Sequence, residues 1–186
     1  MAKPDLQKHS CQYVDTYLKS KNIALLNAYK NDINLKTNKT PETMRIGIVK
    51  SFFNQEVCFE LCKACIDELL KLNILAKNIF VVEVPGALEI PMMLNRMAYS
   101  GQFDGLVALG AVIRGDTYHF DIVANESARG ISQVAIDHQI AVANAVLTTE
   151  DDGQAFSRAD EKARAAANVV VEMAELNFAL PEFITD

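Results

Sequence analysis

Tryptophan is absent from this 186-residue chain, and histidine occurs only three times. No apolar run approaches the roughly 20 residues that a membrane-spanning helix needs, so no membrane partner is expected. The missing tryptophan counts against a flavin-type electron carrier, as does the lack of a Ser/Thr-rich phosphate loop after the first apolar segment. Arginine does not occur before Arg45, acids stand at Asp5, Asp15 and Asp32, and residues 1–10 lack an apolar core. Neither a secretory signal nor a transit peptide is expected, and the default compartment is the cytoplasm.

An excess of basic charge is also missing. Residues 1–44 hold seven lysines against four acids, but residues 45–186 hold eleven basic against twenty acidic residues. A body this acidic argues against nucleic acid as a partner. Glycine is missing around the cysteines. Cys58, Cys62 and Cys65 follow a C-x3-C-x2-C spacing known from iron–sulfur clusters, and Cys11 lies apart. A cluster loop has to wrap its metal. These three instead repeat at i, i+4 and i+7 alongside Phe59, Leu61, Ile66 and Leu69, which is the stripe of a core-facing helix. They are expected to be small packing residues, with no metal, no cofactor and no disulfide.

What is present is alternation. Residues 1–44 read as a separate leader with one or two short helices, peripheral and partly mobile, ending in a linker at Thr37–Pro41. From Arg45 onward, apolar strands are predicted at Arg45–Val49, Ile79–Val84, Gly105–Ile113 and Ile140–Leu147. Helices are predicted from an Asn54 N-cap to about Asn73, from Glu89 to about Ser100, from about Asp121 to Gln139, and from about Asp151 to Asn177. Residues 45–186 therefore read as one α/β domain. Four strand–helix repeats with near-continuously apolar strands predict a four-stranded parallel sheet buried on both faces. The expected architecture is a flavodoxin-like three-layer α/β/α sandwich. Ligands in such sheets bind beyond the carboxyl ends of the strands.

The unusual chemistry falls on that edge. Phe53 follows the first strand and can stack on a flat ring, or equally fill the core. Gly86 lets the backbone approach a ligand, and Glu89 can accept hydrogen bonds from hydroxyls or simply favour its helix dipole. Gly115, Asp116 and Thr117 form a turn between an apolar strand and a helix start, where exposed N–H groups suit an anion. His119 stands two residues on and is placed to move protons, whereas His9 lies in the leader and His138 late in a helix. Arg158 and Lys162 are spaced i, i+4 among acids. Their ordinary reading is a solvated face, although an arginine fork also suits phosphate.

Four motifs in order resemble one family. They are Phe53-Asn54, Val84–Pro91, Leu109–Phe120, and Leu147–Glu150 with Gln154-Ala155 and Arg158. Together they resemble lumazine synthase over about residues 45–177. The resemblance implies condensation of 5-amino-6-(D-ribitylamino)uracil with 3,4-dihydroxy-2-butanone 4-phosphate to 6,7-dimethyl-8-ribityllumazine, a step of riboflavin biosynthesis needing no cofactor. It implies that Phe53 stacks on the pyrimidine, that Ala87, Leu88 and Glu89 hold the ribityl chain, and that Ala111, Val112 and Ile113 contact the pyrimidine through their backbone. Asp116, Thr117 and Arg158 would bind the phosphate, and His119 would carry protons. It also implies a homo-oligomer, a pentamer or an assembly of pentamers, with Arg158 and Asn144 supplied by a neighbouring copy. Three departures stand out. Asn144 replaces a phenylalanine common in the family, Ala141 and Ala145 replace a proline and a glycine, and Ala166 replaces a second lysine. The competing reading is a non-catalytic flavin- or lumazine-binding, or shell-forming, protein on the same scaffold. His119 and Arg158 favour the enzyme, because a passive binder needs neither.

Overall fold

The structure, a computed structural model, describes residues 39–180. The leader helices expected before residue 39 lie outside this range. Within it, Lys39 is fastened to Asp104 at 2.5 Å, and Pro41–Thr43 makes a single 3-10 turn. Met44 is fully buried.

Four strands alternate with four helices. They are β1 (Ile46–Ser51), α1 (Gln55–Lys71), β2 (Ile79–Val84), α2 (Ile90–Tyr99), β3 (Gly105–Ile113), α3 (His119–His138), β4 (Ala141–Thr149) and α4 (Asp152–Ala179). Every strand pair is parallel, and the order is β2-β1-β3-β4. This is the expected three-layer sandwich. The chain winds outward from β1 in one direction and then from β3 in the other, so the β1 and β3 carboxyl ends meet at the point where the direction reverses.

Side-chain alternation assigns the two faces. Ile46, Ile48, Val107, Leu109 and Ala111 pack against α1 and α4. Val49, Leu106, Ala108 and Val112 pack against α2 and α3. The cysteines follow the α1 pattern, with Cys58 and Cys65 sealed completely and Cys62 nearly so. Burial pushes the Cys58 thiol up to about 11 and the Cys65 thiol up to about 12, so both stay protonated at neutral pH. On α4, Ala155, Ala159, Ala163, Ala167 and Ala174 form a stripe of small residues that brings this helix close to the sheet.

Two expectations are corrected. The two central strands, β1 and β3, are buried along almost their whole length. β2 is sealed only at Val84, and β4 alternates, with Asn144 and Thr148 exposed. Both are edge strands, and the helices cover the sheet's centre more fully than its margins. The second correction concerns Asn54, whose side chain does not cap α1. Boundaries also shift slightly: β1 and β4 each run two residues further than expected, and α3 begins at His119.

Gly130 lies inside α3, where glycine is unfavourable by roughly 1 kcal/mol relative to alanine. A Cβ there would sit 2.8 Å from both Cβ and Cγ of Pro91 on α2, in a ring that cannot rotate away. Overpacking costs about 1–3 kcal/mol, so the clash outweighs the propensity gain. Gly130→Ala is expected to lower the denaturation midpoint. A raised midpoint would show that α2 yields instead.

Candidate active site

Eight of the twelve expected site residues line one cleft of about 400 Å³ at the carboxyl edge of the sheet. Phe53 comes from the end of β1. Ala87, Leu88 and Glu89 come from the 3-10 turn after β2. Ala111, Val112 and Ile113 come from the last residues of β3, and His119 from the first turn of α3. Asn54, Pro85, Gly86, Phe120 and Val123 complete the walls. The lining is mainly apolar with few polar groups, as in a pocket for a flat organic ligand.

Local chemistry explains the placements. Phe53 is 69% exposed, so its ring is available for stacking and is not a core residue. Gly86 is in extended backbone, and a Cβ on it would meet Glu89 Oε2 at 3.0 Å. What the glycine admits is therefore the carboxylate of Glu89, which folds back over the turn. Glu89 has no ion-pair partner among the described residues, which leaves its oxygens free for hydroxyl donors. His138, by contrast, bonds Asn95 Oδ1 at 2.8 Å, outside the cleft.

The other four expected residues are not in the cleft. Asp116 and Thr117 are exposed in the turn between β3 and α3, and neither lines its wall. Asn144 and Arg158 line a separate groove of about 400 Å³ between β4 and α4. The Arg158 guanidinium bonds only the Gln154 carbonyl, at 3.2 Å, among the described residues. Asn144 Oδ1 accepts from the Val146 N–H at 2.9 Å and so occupies one polar group of the open β4 edge.

Three residues at or beside these hollows were given no site role from the sequence. Lys162 lines the same groove as Arg158, and Ala166 lies beside them. The i, i+4 spacing of the two cations was the available signal. Arg114 donates from Nε to Glu150 at 2.8 Å, approaches Asp121 at 3.6 Å, and stacks over the Phe120 ring at 4.0 Å. It thereby ties the ends of β3 and β4 to the start of α3. Asn54, the third, is a cleft-wall residue with an amide bonded across the sheet. Among the described residues, no cluster of three or more His, Cys, Asp or Glu suits a metal ion. No helix there is long and apolar enough to cross a membrane.

Comparison with known proteins gives one consistent result. The profile of the family described as 6,7-dimethyl-8-ribityllumazine synthase matches residues 43–177. The chain is 55% identical over 143 residues to the 6,7-dimethyl-8-ribityllumazine synthase of Burkholderia multivorans, covering 77% of this chain and 83% of that protein. It is 57% identical over 143 residues to the synthase of the same name from Paraburkholderia phymatum, with the same coverage. With the cleft, the sheet order and these matches in agreement, the chain belongs to the 6,7-dimethyl-8-ribityllumazine synthase family.

Proposed function

We propose that this chain condenses 5-amino-6-(D-ribitylamino)uracil with 3,4-dihydroxy-2-butanone 4-phosphate. The observation that carries the reading is the convergence of His119, Phe53 and Glu89 on one cleft from three different strand ends. The substrate amine attacks the ketone and water leaves to give an imine. Phosphate is then eliminated, and ring closure releases a second water. Each step moves protons, which His119 relays. Phe53 stacks on the pyrimidine, Glu89 with Ala87 and Leu88 holds the ribityl hydroxyls, and the backbone of Ala111, Val112 and Ile113 reads the ring edge. The protein contributes mostly orientation.

The phosphate is assigned to the Asp116–Thr117 turn together with Arg158 of a neighbouring copy, whose Asn144 closes the pyrimidine side of the pocket. Two observations support that division: Arg158 lies in a different groove from His119, and its guanidinium has no carboxylate partner among the described residues. The family resemblance supports a homo-oligomer, a pentamer or an assembly of pentamers, as the working form, with residues 45–186 as its catalytic domain and residues 1–44 as a separate leader. Free, buried thiols on α1 suit a reducing compartment such as the cytoplasm.

Mixing the protein with both substrates and following lumazine absorbance tests the reading. A rate no higher than the spontaneous background would sink it. Arg158→Ala is expected to raise KM for the phosphate substrate by about 10- to 100-fold, the worth of a lost charge-assisted hydrogen bond, with a smaller change for the pyrimidine. Unchanged kinetics would remove Arg158 from the site.

A further inference from the structure

The exposed ring of Phe53 is not held by packing around it. Its backbone is held instead. The Phe53 N–H donates to the Pro85 carbonyl at 3.0 Å. Its own carbonyl accepts from Ser51 Oγ at 3.4 Å and from Cys58 Sγ at 3.3 Å. The next residue, Asn54, stands at φ 58°, ψ 47°, in the left-handed region. Asparagine is one of the few non-glycine residues that enter this region at modest cost.

That conformation turns the chain from β1 into α1 and sends the Asn54 amide across the sheet. Nδ2 donates to the Ala111 carbonyl at 2.9 Å, while the side chain makes no capping bond to α1. The β1–β3 ladder ends at Lys50 opposite Leu109, yet β3 continues to Ile113. Asn54 supplies a donor where β1 has no further strand residue to offer. One dipeptide therefore joins three strand ends. Phe53 ties β1 to the turn after β2, and Asn54 ties β1 to the last residues of β3.

We propose that Asn54 is a positioning residue of the cleft: its left-handed backbone presents the Phe53 ring, and its amide fixes the Ala111 carbonyl opposite. Ring and β3 backbone then line the same cleft, which a planar heterocycle would occupy. Asn54 acts through these two neighbours, and the inference rests on the synthase reading above.

Two variants of the full chain test it. Asn54→Gly keeps the left-handed turn and deletes the amide. Asn54→Asp keeps size and turn but sets a carboxylate against a carbonyl. The readouts are KM for each substrate, the dissociation constant for 6,7-dimethyl-8-ribityllumazine, and the melting temperature. In both variants, KM for the pyrimidine and the lumazine dissociation constant are expected to rise about tenfold, the worth of one lost hydrogen bond. KM for the phosphate substrate should stay within about twofold, because the Asp116–Thr117 turn and Arg158 are left intact. Unchanged lumazine binding in both variants overturns the proposal. So does an equal rise in both KM values with a lowered melting temperature, or failure of both to fold, since either assigns Asn54 to the scaffold alone. If the unaltered chain binds the lumazine but does not form it, the synthase reading falls, while the dissociation constants still decide the role of Asn54.

Discussion

His119→Ala is expected to lower kcat by about a hundredfold, the bottom of the range that a positioned proton carrier contributes. The effect sits low in that range because the cleft still orients both reactants after the imidazole is gone. KM for both substrates should change little, since His119 is assigned to proton movement and not to holding either molecule. The variant should fold normally. His119 is exposed, and its backbone begins α3 without the side chain closing a cap. Steady-state kinetics with both substrates check the result. A kcat within a factor of about two of the unaltered chain would remove His119 from the chemistry and leave the cleft as an orienting surface only.

The second large effect concerns two defective chains. His119→Ala and Arg158→Ala are each expected to be poor enzymes alone. Denatured, mixed in equal amounts and refolded together, they should regain about a quarter of the unaltered activity, because random neighbours pair one intact cleft with one intact groove at that frequency. The argument is geometric. His119 and Arg158 occupy separate hollows of the same chain, one lined by the β1, β2 and β3 ends and the other by β4 and α4. If one chain supplied the whole site, mixing would restore nothing. Activity equal to the mean of the two separate variants would therefore reject a site shared between copies.

Much of the frame was legible because apolar runs announce themselves. Ile79–Val84 and Gly105–Ile113 are strands over the expected residues, and the cysteine stripe faces the core. The ends of β1 and β4 were not legible, because Lys50, Ser51, Thr148 and Thr149 are polar residues carried into the sheet by ladder pairing with β2 and β3. The edge exposure of β2 and β4 was missed for a related reason: an apolar run records that a strand is in a sheet, but not how far the helices reach over it. Most of the cleft wall was readable from strand ends. The Asn54–Ala111 bond was not, since it spans 57 positions and depends on a left-handed turn that a run of ordinary residues does not signal. Asp116 and Thr117 stand within three residues of His119 in sequence, yet the turn that holds them leaves them outside the cleft wall.

The overhang of β3 beyond β1 has one more consequence. Past the Ala111 carbonyl, which Asn54 occupies, the strand runs to Ile113 with β4 on one side and no strand among the described residues on the other. Main-chain groups on the bare side are identical whatever side chains the strand carries. A ligand read there is recognised by peptide units, which point mutation does not alter. On the proposed reading, exchanges of Val112 and Ile113 among β-branched residues should therefore leave recognition of the ring edge intact, and substitutions there should act through volume and strand propensity more than through chemical identity.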